Sequence, residues 1–315
     1  MEPAGWALTA AVGLDACVGD PPWWVHPVRR IGALAVWGEG RLRRSVRSES
    51  LAGWLLVIGV IGVVWGAVSG SRWLAARIHP ACFWSLEVIW LYWAVSARDL
   101  AAESWTVFRA LQSGDLALAR KQVGRIVGRD TEAMDEPEVV RATLETIGES
   151  VMDGIVSPLF YAAWGGAPLA WVYKAVNTLD SMVGYRSARY LRFGAAAARV
   201  DRWMNWVPAR LSAGLLGCAG GLAGFSWRGF RTAVRDAGPA GENSFWPEAA
   251  VAGALGVRLG GVNRYAGMPV TTPWMGGPGG VLAAAQIPRA IRLIWFSVPL
   301  TLGLALGIQA VLPWR

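Results

Sequence analysis

Apolar stretches alternate with polar ones along this chain, and the longest of them predict membrane-spanning helices. A helix needs about 20 mostly apolar residues to cross a bilayer. Four stretches approach or reach that length: residues 4–18, 51–69, 81–97 and 291–312. The first is short, the third contains Glu87, and the last contains Pro299 as an expected kink. The pattern therefore predicts a membrane protein with several helical spans.

Two weaker apolar stretches lie at 154–172 and 207–225. The former is interrupted by prolines and glycines at four positions: Pro158, Gly165, Gly166 and Pro168. Membranes tolerate a break in a helix only where protein or a water-filled cavity covers the freed backbone. Strand-like alternation is weak throughout. We therefore predict an all-α, polytopic membrane protein with re-entrant or broken helices and amphipathic cytoplasmic helices, forming a single integral membrane domain over residues 1–315.

The polar stretches predict a topology for the first half of the chain. The stretch 19–50 carries six arginines: Arg29, Arg30, Arg41, Arg43, Arg44 and Arg47. Cytoplasmic loops are rich in Arg and Lys, so we expect this loop to be cytoplasmic, 70–80 outside and 98–153 inside. The loops 173–206 and 226–290 are both basic, and 226–290 is expected to be a functional loop. They can share a side only if 207–225 does not cross, or crosses as part of a hairpin.

Composition supports the membrane prediction and excludes nucleic acid as a partner. Charged residues make up 17% of the chain, against about a quarter in soluble domains. The 20 tryptophans are suited to membrane interfaces, because the indole ring is apolar with one polar N–H. The net charge is +8, but the basic residues are scattered through apolar sequence and form no stripe. Cytoplasmic loops beside a bilayer explain the positive charge better.

The acidic residues are concentrated, which points to a site. Eleven of the 22 lie between Asp99 and Asp153, in a segment (98–153) that we predict to be amphipathic and helical. Within it, Asp135 followed by Pro137 and Glu138 is typical of a helix start.

After this start, four charged residues recur at every fourth position: Arg141, Glu145, Glu149 and Asp153. They share one helix face. Glu145 and Glu149 repel each other, and so do Glu149 and Asp153. A row of acids that runs into an apolar segment therefore needs a cation to neutralise it. Mg²⁺ with a nucleotide is a natural candidate, since Mg²⁺ takes oxygen ligands. The alternative is an ordinary solvated helix face.

The segment YKAVNTLDSMVGYR, residues 173–186, carries a second polar stripe. Its members are Lys174, Asn177, Thr178, Ser181 and Tyr185, with Asp180 beside them. Lysine can bind phosphate as a point charge, and Asn or Ser can orient the phosphate. The alternative is a polar helix at the membrane interface.

Two further segments carry candidate chemistry. GDPPWWVHPVRRIG, residues 19–32, is a stiff loop with Asp20, His26 and Arg29 as its polar points, suited either to anion binding or to a structural role. In ENSFWPEAAVAGALGVRLGG, residues 242–261, the polar Asn243 and Glu248 precede a helix of small residues that permits close packing. The run GGPGG is not a phosphate-binding P-loop, because no Lys and Ser/Thr follow it.

Together these segments resemble the CobD/CbiB family of cobalamin biosynthesis, the adenosylcobinamide-phosphate synthases. The resemblance runs from about residue 10 to 298. It is carried by the GDP…HPVR…IG run, the GRDT segment with ETIGES..DG..SPLF, the unbroken YKAVNTLDSMVGYR block, the N..PAR run at 205–210, and PEA..GALG..LGG. It implies a polytopic enzyme of the bacterial inner membrane with a cytoplasmic active site. The enzyme would use ATP and Mg²⁺ to join adenosylcobyric acid, a corrinoid, to (R)-1-aminopropan-2-ol O-phosphate or a related amino-alcohol phosphate.

The resemblance and the chemistry together assign expected roles. Catalytic roles are expected for Glu145, Glu149, Asp153 and Asp180. Metal binding is expected for Asp130, Glu149 and Asp153. Substrate or phosphate binding is expected for ten residues: His26, Arg29, Arg129, Lys174, Asn177, Ser181, Arg186, Asn205, Asn243 and Glu248. Other cobalamin-pathway enzymes or a second copy of the chain are further candidate partners.

The chain departs from the family pattern at two places. It has Asp201-Arg202 where many relatives read Asp-Asp, and PAGENS, with Glu242, where many have His-x-Ser-Pro-Asn. Two alternative functions remain open. A non-enzymatic inner-membrane sensor of the same superfamily would have little need for the intact VNTLDSMVGY and GRDT segments. A small-molecule transporter would be expected to show repeat symmetry, and the sequence shows no internal repeat.

Overall fold

A computed structural model confirms the predicted helical membrane architecture. It describes residues 3–20, 26–185, 187–227, 230–231, 234–235, 241–277 and 279–311. The helices in chain order are α1 (Pro3–Val18), α2 (Pro27–Ser45), α3 (Glu49–Ile78), α4 (Pro80–Tyr92), α5 (Ala97–Gln112), α6 (Leu116–Val123), α7 (Glu136–Val151), α8 (Ser157–Val183), α9 (Ala195–Met204), α10 (Trp206–Leu222), α11 (Phe245–Leu255) and α12 (Gln286–Val311). A π-helical turn, Met152–Val156, connects α7 to α8 along the chain.

Three helical segments in the described part of the chain are long and apolar enough to cross a membrane. They are Glu49–Ile78, Glu136–Val183 and Gln286–Val311. They confirm the predicted helices at 51–69 and 291–312, and the second contains the weaker candidate 154–172. The prediction of a span over 81–97 is wrong, because α4 ends at Tyr92 after 13 residues, well short of a bilayer thickness. The helices α1 and α10 are also shorter than a full span, at 16 and 17 residues.

A β-hairpin that the sequence pattern did not predict lies within the expected loop 226–290. Strand β1 (Leu259–Tyr265) pairs with antiparallel β2 (Met268–Met275). Gly260 and Gly261 both have φ of +94°, and the register shifts between Leu259 and Gly261. These glycines and the bulge interrupt the apolar–polar alternation by which a strand is recognised.

The chain divides into two compact units. Unit 1 contains α1–α4, α8, α9 and the part of α12 from Leu302 onward. Unit 2 contains α5–α7, the π-helical turn, α10 from Val207, α11, the hairpin and α12 up to Thr301. The single membrane domain proposed from the sequence stays a prediction.

Within unit 1, the predicted break in the weak apolar stretch is present. Gly165 and Gly166 have non-helical backbone angles inside α8, and Gly166 adopts φ 64° and ψ −160°. The break frees the backbone N–H of Ala167, which donates to the buried carboxylate of Glu87 at 2.9 Å. Arg72 forms an ion pair with the same carboxylate. Glu87, the acid that interrupts an apolar stretch of the sequence, therefore satisfies the backbone N–H that the break in α8 exposes.

Replacing Gly166 with Ala is expected to destabilise unit 1. The backbone conformation at Gly166 is accessible almost only to glycine, so the cost is about 1–3 kcal/mol. The matched control is Gly62→Ala in α3, where a new Cβ meets no atom within 4 Å, and it should be neutral or slightly stabilising. The measurement is the thermal midpoint of both variants in detergent. Equal midpoints for the two variants would contradict the account of the break.

Candidate functional site

The acidic helix α7 begins where the sequence predicts. The Asp135 side chain accepts from the Glu138 N–H at 2.9 Å, and the Glu138 side chain accepts from the Asp135 N–H at 3.0 Å. This reciprocal capping box fixes the first turn and therefore the rotation of the charged row that follows. Arg141 and Glu145 of that row are buried, Glu149 is exposed, and Asp153 is half-buried in the π-helical turn. The row is thus not an ordinary solvated face.

A polar cavity of about 220 Å³ lies in unit 2 against this row. Its wall brings the GRDT loop and α7 together with a part of the chain that is distant in sequence, the start of α11 with the hairpin. The described lining consists of Ile126, Val127, Gly128, Arg129, Glu145, Thr146, Glu149, Ser244, Phe245, Glu248, Asn263, Tyr265 and Thr272. Four of the predicted site residues, Arg129, Glu145, Glu149 and Glu248, therefore line one cavity.

Arg129 is the one cation in the described lining of this cavity, and two side chains hold it. Its guanidinium donates to the Glu145 carboxylate and to the Asn263 side-chain oxygen. Arg129 and Asn263 are both buried. Because a guanidinium presents its donors in a planar fork, fixing two of them leaves the remaining edge in a defined direction. A phosphate or carboxylate group in the cavity would meet this edge.

Glu145 also ties α7 to the hairpin. Its second oxygen accepts from the Gly260 N–H at 2.7 Å. Arg141, one turn earlier, donates to the carbonyls of Gly260 and Val262, the latter at 3.0 Å, and lies 3.5 Å from Glu145. Backbone groups of Gly260 and Val262 in β1 are thus satisfied by side chains of α7.

Glu248 reaches the cavity because two helices approach closely. A Cβ built on Gly148 would lie 2.9 Å from the Glu248 backbone, so glycine is required where α7 meets α11. Gly148 lies between Glu145 and Glu149 in sequence. The contact therefore brings a third carboxylate to the acidic face of α7.

The three carboxylates give the cavity a negative character that favours a bound cation. Burial raises the pKa of Glu248 well above its usual value, and repulsion from Glu145 and Glu149 raises it further. Hydrogen bonding from Ser244 and the nearby Arg129 oppose this shift. A cation near Glu248 would stabilise its ionised form.

Glu149 and Glu248 fit Mg²⁺ better than the other acids do. Mg²⁺ commonly binds one or two protein carboxylates together with substrate phosphates, and both residues line the cavity. Glu145 is occupied by Arg129 and Gly260. Asp130 accepts from the N–H groups of Ala266 and Gly267 at the hairpin turn, at 3.1 and 2.7 Å, so it supports the turn.

Among the residues described, no three His, Cys, Asp or Glu side chains are grouped to hold a metal ion. The metal-binding roles expected for Asp130, Glu149 and Asp153 stay predictions. Asn243, also expected to bind substrate, is half-buried immediately before the start of α11.

The remaining predicted site residues lie in unit 1. His26 caps α2: its Nδ1 accepts from the Val28 N–H at 3.3 Å, and its ring lies 6.4 Å from that of Trp171. Arg29 is exposed in the first turn of α2. Asn205 is buried between Ser157, which donates to it at 2.9 Å, and Asp201, to which it donates at 3.2 Å. His26 and Asn205 thus have clear structural partners, and their binding roles stay predictions.

Four members of the polar stripe lie in the last part of α8, namely Lys174, Asn177, Thr178 and Ser181, and Tyr185 follows the end of this helix at Val183. Lys174, Asn177 and Asp180 are half-buried, and Ser181 is exposed. The Ser181 hydroxyl donates to the Asn177 carbonyl at 2.9 Å. Arg186 lies outside the described residues.

Two features of the site were not predicted from the sequence: the role of Asn263, and the hydrogen bonds from Arg141 to the carbonyls of Gly260 and Val262. Asn263 lies in a strand that was not predicted, so nothing linked it to Arg129. A polar residue in the short run GGVNRY, directly after a small-residue helix, was the one available signal. Arg141 was noticed only as part of the charged row, because its partners are backbone carbonyls that carry no sequence signature.

Comparison with known proteins identifies the family to which these features correspond. A protein-family model described as "CobD/Cbib protein" matches residues 8–294. The chain is 45% identical over 301 residues to "Cobalamin biosynthesis protein CobD" of Klebsiella pneumoniae, covering 94% of each chain. It is 45% identical over 302 residues to "Cobalamin biosynthesis protein CbiB" of Salmonella typhi, again covering 94% of each. A CobD of Geobacter metallireducens is 44% identical over 99% of each chain. No solved structure gives a significant match.

The raised pKa of Glu248 predicts a pH-dependent cost to stability. The folded protein favours the protonated carboxyl, so stability falls as the pH rises from the usual glutamate value of 4.5 toward the raised value, and then levels off. Glu248→Gln removes this titration. We expect it to melt at a higher temperature than the unsubstituted protein at pH 7 without ligands, and the difference should shrink toward pH 4.5.

The control for this experiment is Glu136→Gln, an exposed position in the first turn of α7. It should leave the pH dependence of the thermal midpoint unchanged. If the thermal midpoint of Glu248→Gln differed from that of the unsubstituted protein by the same amount at every pH, the raised pKa of Glu248 would be contradicted.

Proposed function

Because the chain belongs to the CobD/CbiB family of cobalamin biosynthesis proteins, we propose that it is an adenosylcobinamide-phosphate synthase. This ligase would join adenosylcobyric acid to (R)-1-aminopropan-2-ol O-phosphate, or to a related amino-alcohol phosphate, through an amide bond, with cleavage of ATP. The bacterial inner membrane is its proposed location, with the reaction on the cytoplasmic side.

The observation that carries this proposal is the cavity of unit 2, in which one oriented arginine faces three carboxylates. An amino-alcohol phosphate fits these charges through its phosphate, which Arg129 and a Mg²⁺ ion held by Glu149 and Glu248 would both bind. Charge-assisted hydrogen bonds of this kind are about twice as strong as neutral ones. The cavity volume of about 220 Å³ is suited to a small substrate and not to a whole corrinoid.

A free carboxylate is a poor electrophile, and ATP supplies the leaving group that amide formation needs. In the proposed reaction, a carboxylate oxygen of the corrinoid attacks the γ-phosphorus of ATP, which gives an acyl phosphate and ADP. The amine nitrogen of the second substrate then attacks the acyl carbon, and inorganic phosphate leaves. The nitrogen must lose its proton before or during this attack.

Glu149 and Glu248 would hold Mg²⁺ in this scheme. The bound ion would neutralise the developing charge on phosphate oxygens. Arg129 would orient the phosphate from the other side of the cavity, and Glu145 with Asn263 would keep Arg129 in place.

Asp180 is the proposed acceptor of the ammonium proton, and Lys174 is proposed to bind phosphate. Both lie in the YKAVNTLDSMVGYR block of unit 1, which is the longest unbroken part of the family resemblance. A carboxylate can take up a proton from an ammonium group when it is positioned within hydrogen-bonding reach.

The direct test is reconstitution. Purified protein in detergent should convert both substrates to adenosylcobinamide phosphate with one ATP consumed per amide formed. The gene should also restore corrinoid-dependent growth to a cell that lacks its own synthase. A protein that neither restores growth nor consumes ATP with both substrates would contradict the ligase proposal and favour the non-enzymatic sensor.

Arg129→Gln is expected to reduce kcat/KM for the amino-alcohol phosphate about 10- to 100-fold, because it removes a charge-assisted contact to phosphate. Two controls isolate this effect. Arg125→Gln removes an exposed ion pair with Glu103 and should be neutral. Arg141→Gln also loses a contact with Glu145 but does not line the cavity, so it measures the structural part of the loss. Equal losses in Arg129→Gln and Arg141→Gln would contradict a binding role.

Asp180→Asn is expected to slow amide formation by about 100-fold or more near neutral pH, as is typical when a general base is removed. The deficit should shrink as the pH approaches the pKa of the amine, because the substrate then arrives already deprotonated. The measurement is a pH–rate profile under single-turnover conditions. A deficit that stays constant over the whole pH range would show that Asp180 is not the proton acceptor.

A further inference from the structure

Unit 1 contains an apolar cavity of about 520 Å³ that none of the roles proposed above uses. Four helices contribute to its wall: the beginning of α2, the middle of α3, the end of α4 and α8. The described lining combines aliphatic side chains, three tryptophans and one charged residue, Arg30. Its size lies within the range of ligand cavities, about 300–1,000 Å³, which are mostly apolar with a few polar groups.

The three tryptophans form a fixed part of the wall. The Trp171 N–H donates to the Trp90 carbonyl at 2.7 Å, and the Trp90 N–H donates to the Ser71 hydroxyl at 3.1 Å. The Trp90 ring packs edge-on against the rings of Trp93 and Trp171, with 5.7 and 5.4 Å between ring centres. Because two of the three indole N–H groups already have partners, this part of the wall offers mainly apolar ring surface to a ligand.

The cavity borders a helix that is long and apolar enough to cross a membrane. From α3 it is lined by Val63, Val64, Ala67 and Val68, which share one face of the helix. Val64 and Val68 are buried, whereas Val63 is 55% exposed. The cavity therefore opens at a surface of α3 that faces the hydrocarbon of the bilayer, where a lipid chain can enter it.

Arg30 adds a positive charge at the rim of this apolar cavity. It is exposed in the first turn of α2, and in the described part of the chain no carboxylate pairs with it. On the same helix, Val36 and Trp37 are 61% and 65% exposed. A helix that exposes both arginines and a tryptophan is typical of the membrane interface, where lipid headgroups lie. The aliphatic stem of Arg30 can extend along apolar surface while its guanidinium reaches a headgroup.

We propose that this cavity binds an acyl chain of an anionic phospholipid, whose phosphate binds Arg30. The chain fills the apolar volume without bringing a polar group into it, and the guanidinium binds phosphate through charge-assisted hydrogen bonds. A phospholipid joins both parts in one molecule, so it uses the apolar wall and the charged rim together. Such a lipid would be a specific ligand of unit 1, distinct from the surrounding bilayer.

The corrinoid substrate of the proposed reaction is the main competing occupant. A corrinoid carries several amide side chains, and an amide buried without a hydrogen-bond partner costs free energy. The described lining has one charged side chain, and two of its three indole N–H groups are already bonded. It therefore suits a hydrocarbon chain better than a molecule with many amides.

The test is native mass spectrometry of the full-length protein in detergent micelles that contain equal amounts of phosphatidylglycerol and phosphatidylcholine. We expect one phosphatidylglycerol molecule to be retained in preference to phosphatidylcholine. Arg30→Gln should reduce this preference about fivefold, the factor that one basic side chain contributes near an anionic membrane surface. The matched control is Arg44→Gln, at an exposed position of the same helix outside the described lining, and it should keep the preference.

A second pair of variants tests the apolar part of the cavity. Ala67→Phe places a ring in the space of the acyl chain, so retention of phosphatidylglycerol should fall at least fivefold. Gly66→Phe introduces the same ring at the adjacent exposed position, which is not part of the described lining, and should leave retention unchanged. Thermal midpoints measured in lipid-free detergent show that the variants are folded.

Two results would overturn the inference. One is an unchanged preference for phosphatidylglycerol in Arg30→Gln. The other is unchanged lipid retention in Ala67→Phe, and loss of adenosylcobyric acid binding in that variant would make the cavity a substrate site. Failure of the proposed ligase reaction is a separate outcome, because lipid retention is measured without ATP or amine.

Discussion

A carboxylate that is removed from water must be matched by positive charge or by hydrogen-bond donors, and Glu145 meets this requirement with three partners. Arg129 and the Gly260 N–H bind its two oxygens, and Arg141 lies beside it. Each partner belongs to a different part of unit 2: the GRDT loop, the hairpin and α7 itself. The orientation of Arg129, the position of β1 and the shape of the cavity therefore depend on one side chain.

The same principle operates in unit 1 with a different result. Glu87 is fully buried, pairs with Arg72 and accepts the backbone N–H that the break in α8 leaves open. In unit 2 a buried carboxylate organises a polar cavity, whereas here it stabilises an irregular helix. Both cases explain why acidic residues interrupt otherwise apolar sequence. Such residues in membrane proteins are costly and are kept for a structural or functional reason.

The sequence correctly predicted those features of the fold that depend on interactions between neighbouring residues. The capping residues Asp135 and Glu138 specify the start of α7, and the pair Gly165–Gly166 specifies a break, since each acts on its own backbone. The cavity was predicted only in part, through Arg129, Glu145, Glu149 and Glu248. The second side chain that holds Arg129, Asn263, was not predicted, because it lies in a hairpin whose glycines obscure the strand pattern. The end of α4 at Tyr92 was missed because apolar composition continues to residue 95 and beyond the helix.

We propose that this membrane protein activates a corrinoid carboxylate with ATP before an amine attacks it. The most direct measurement uses corrinoid substrate labelled with ¹⁸O in the reacting carboxylate, with mass analysis of the inorganic phosphate released. The account predicts that one ¹⁸O atom passes into phosphate for each amide formed, because the carboxylate oxygen becomes the bridge of the acyl phosphate. Amide formation with unlabelled phosphate, or with the label in AMP, would contradict it.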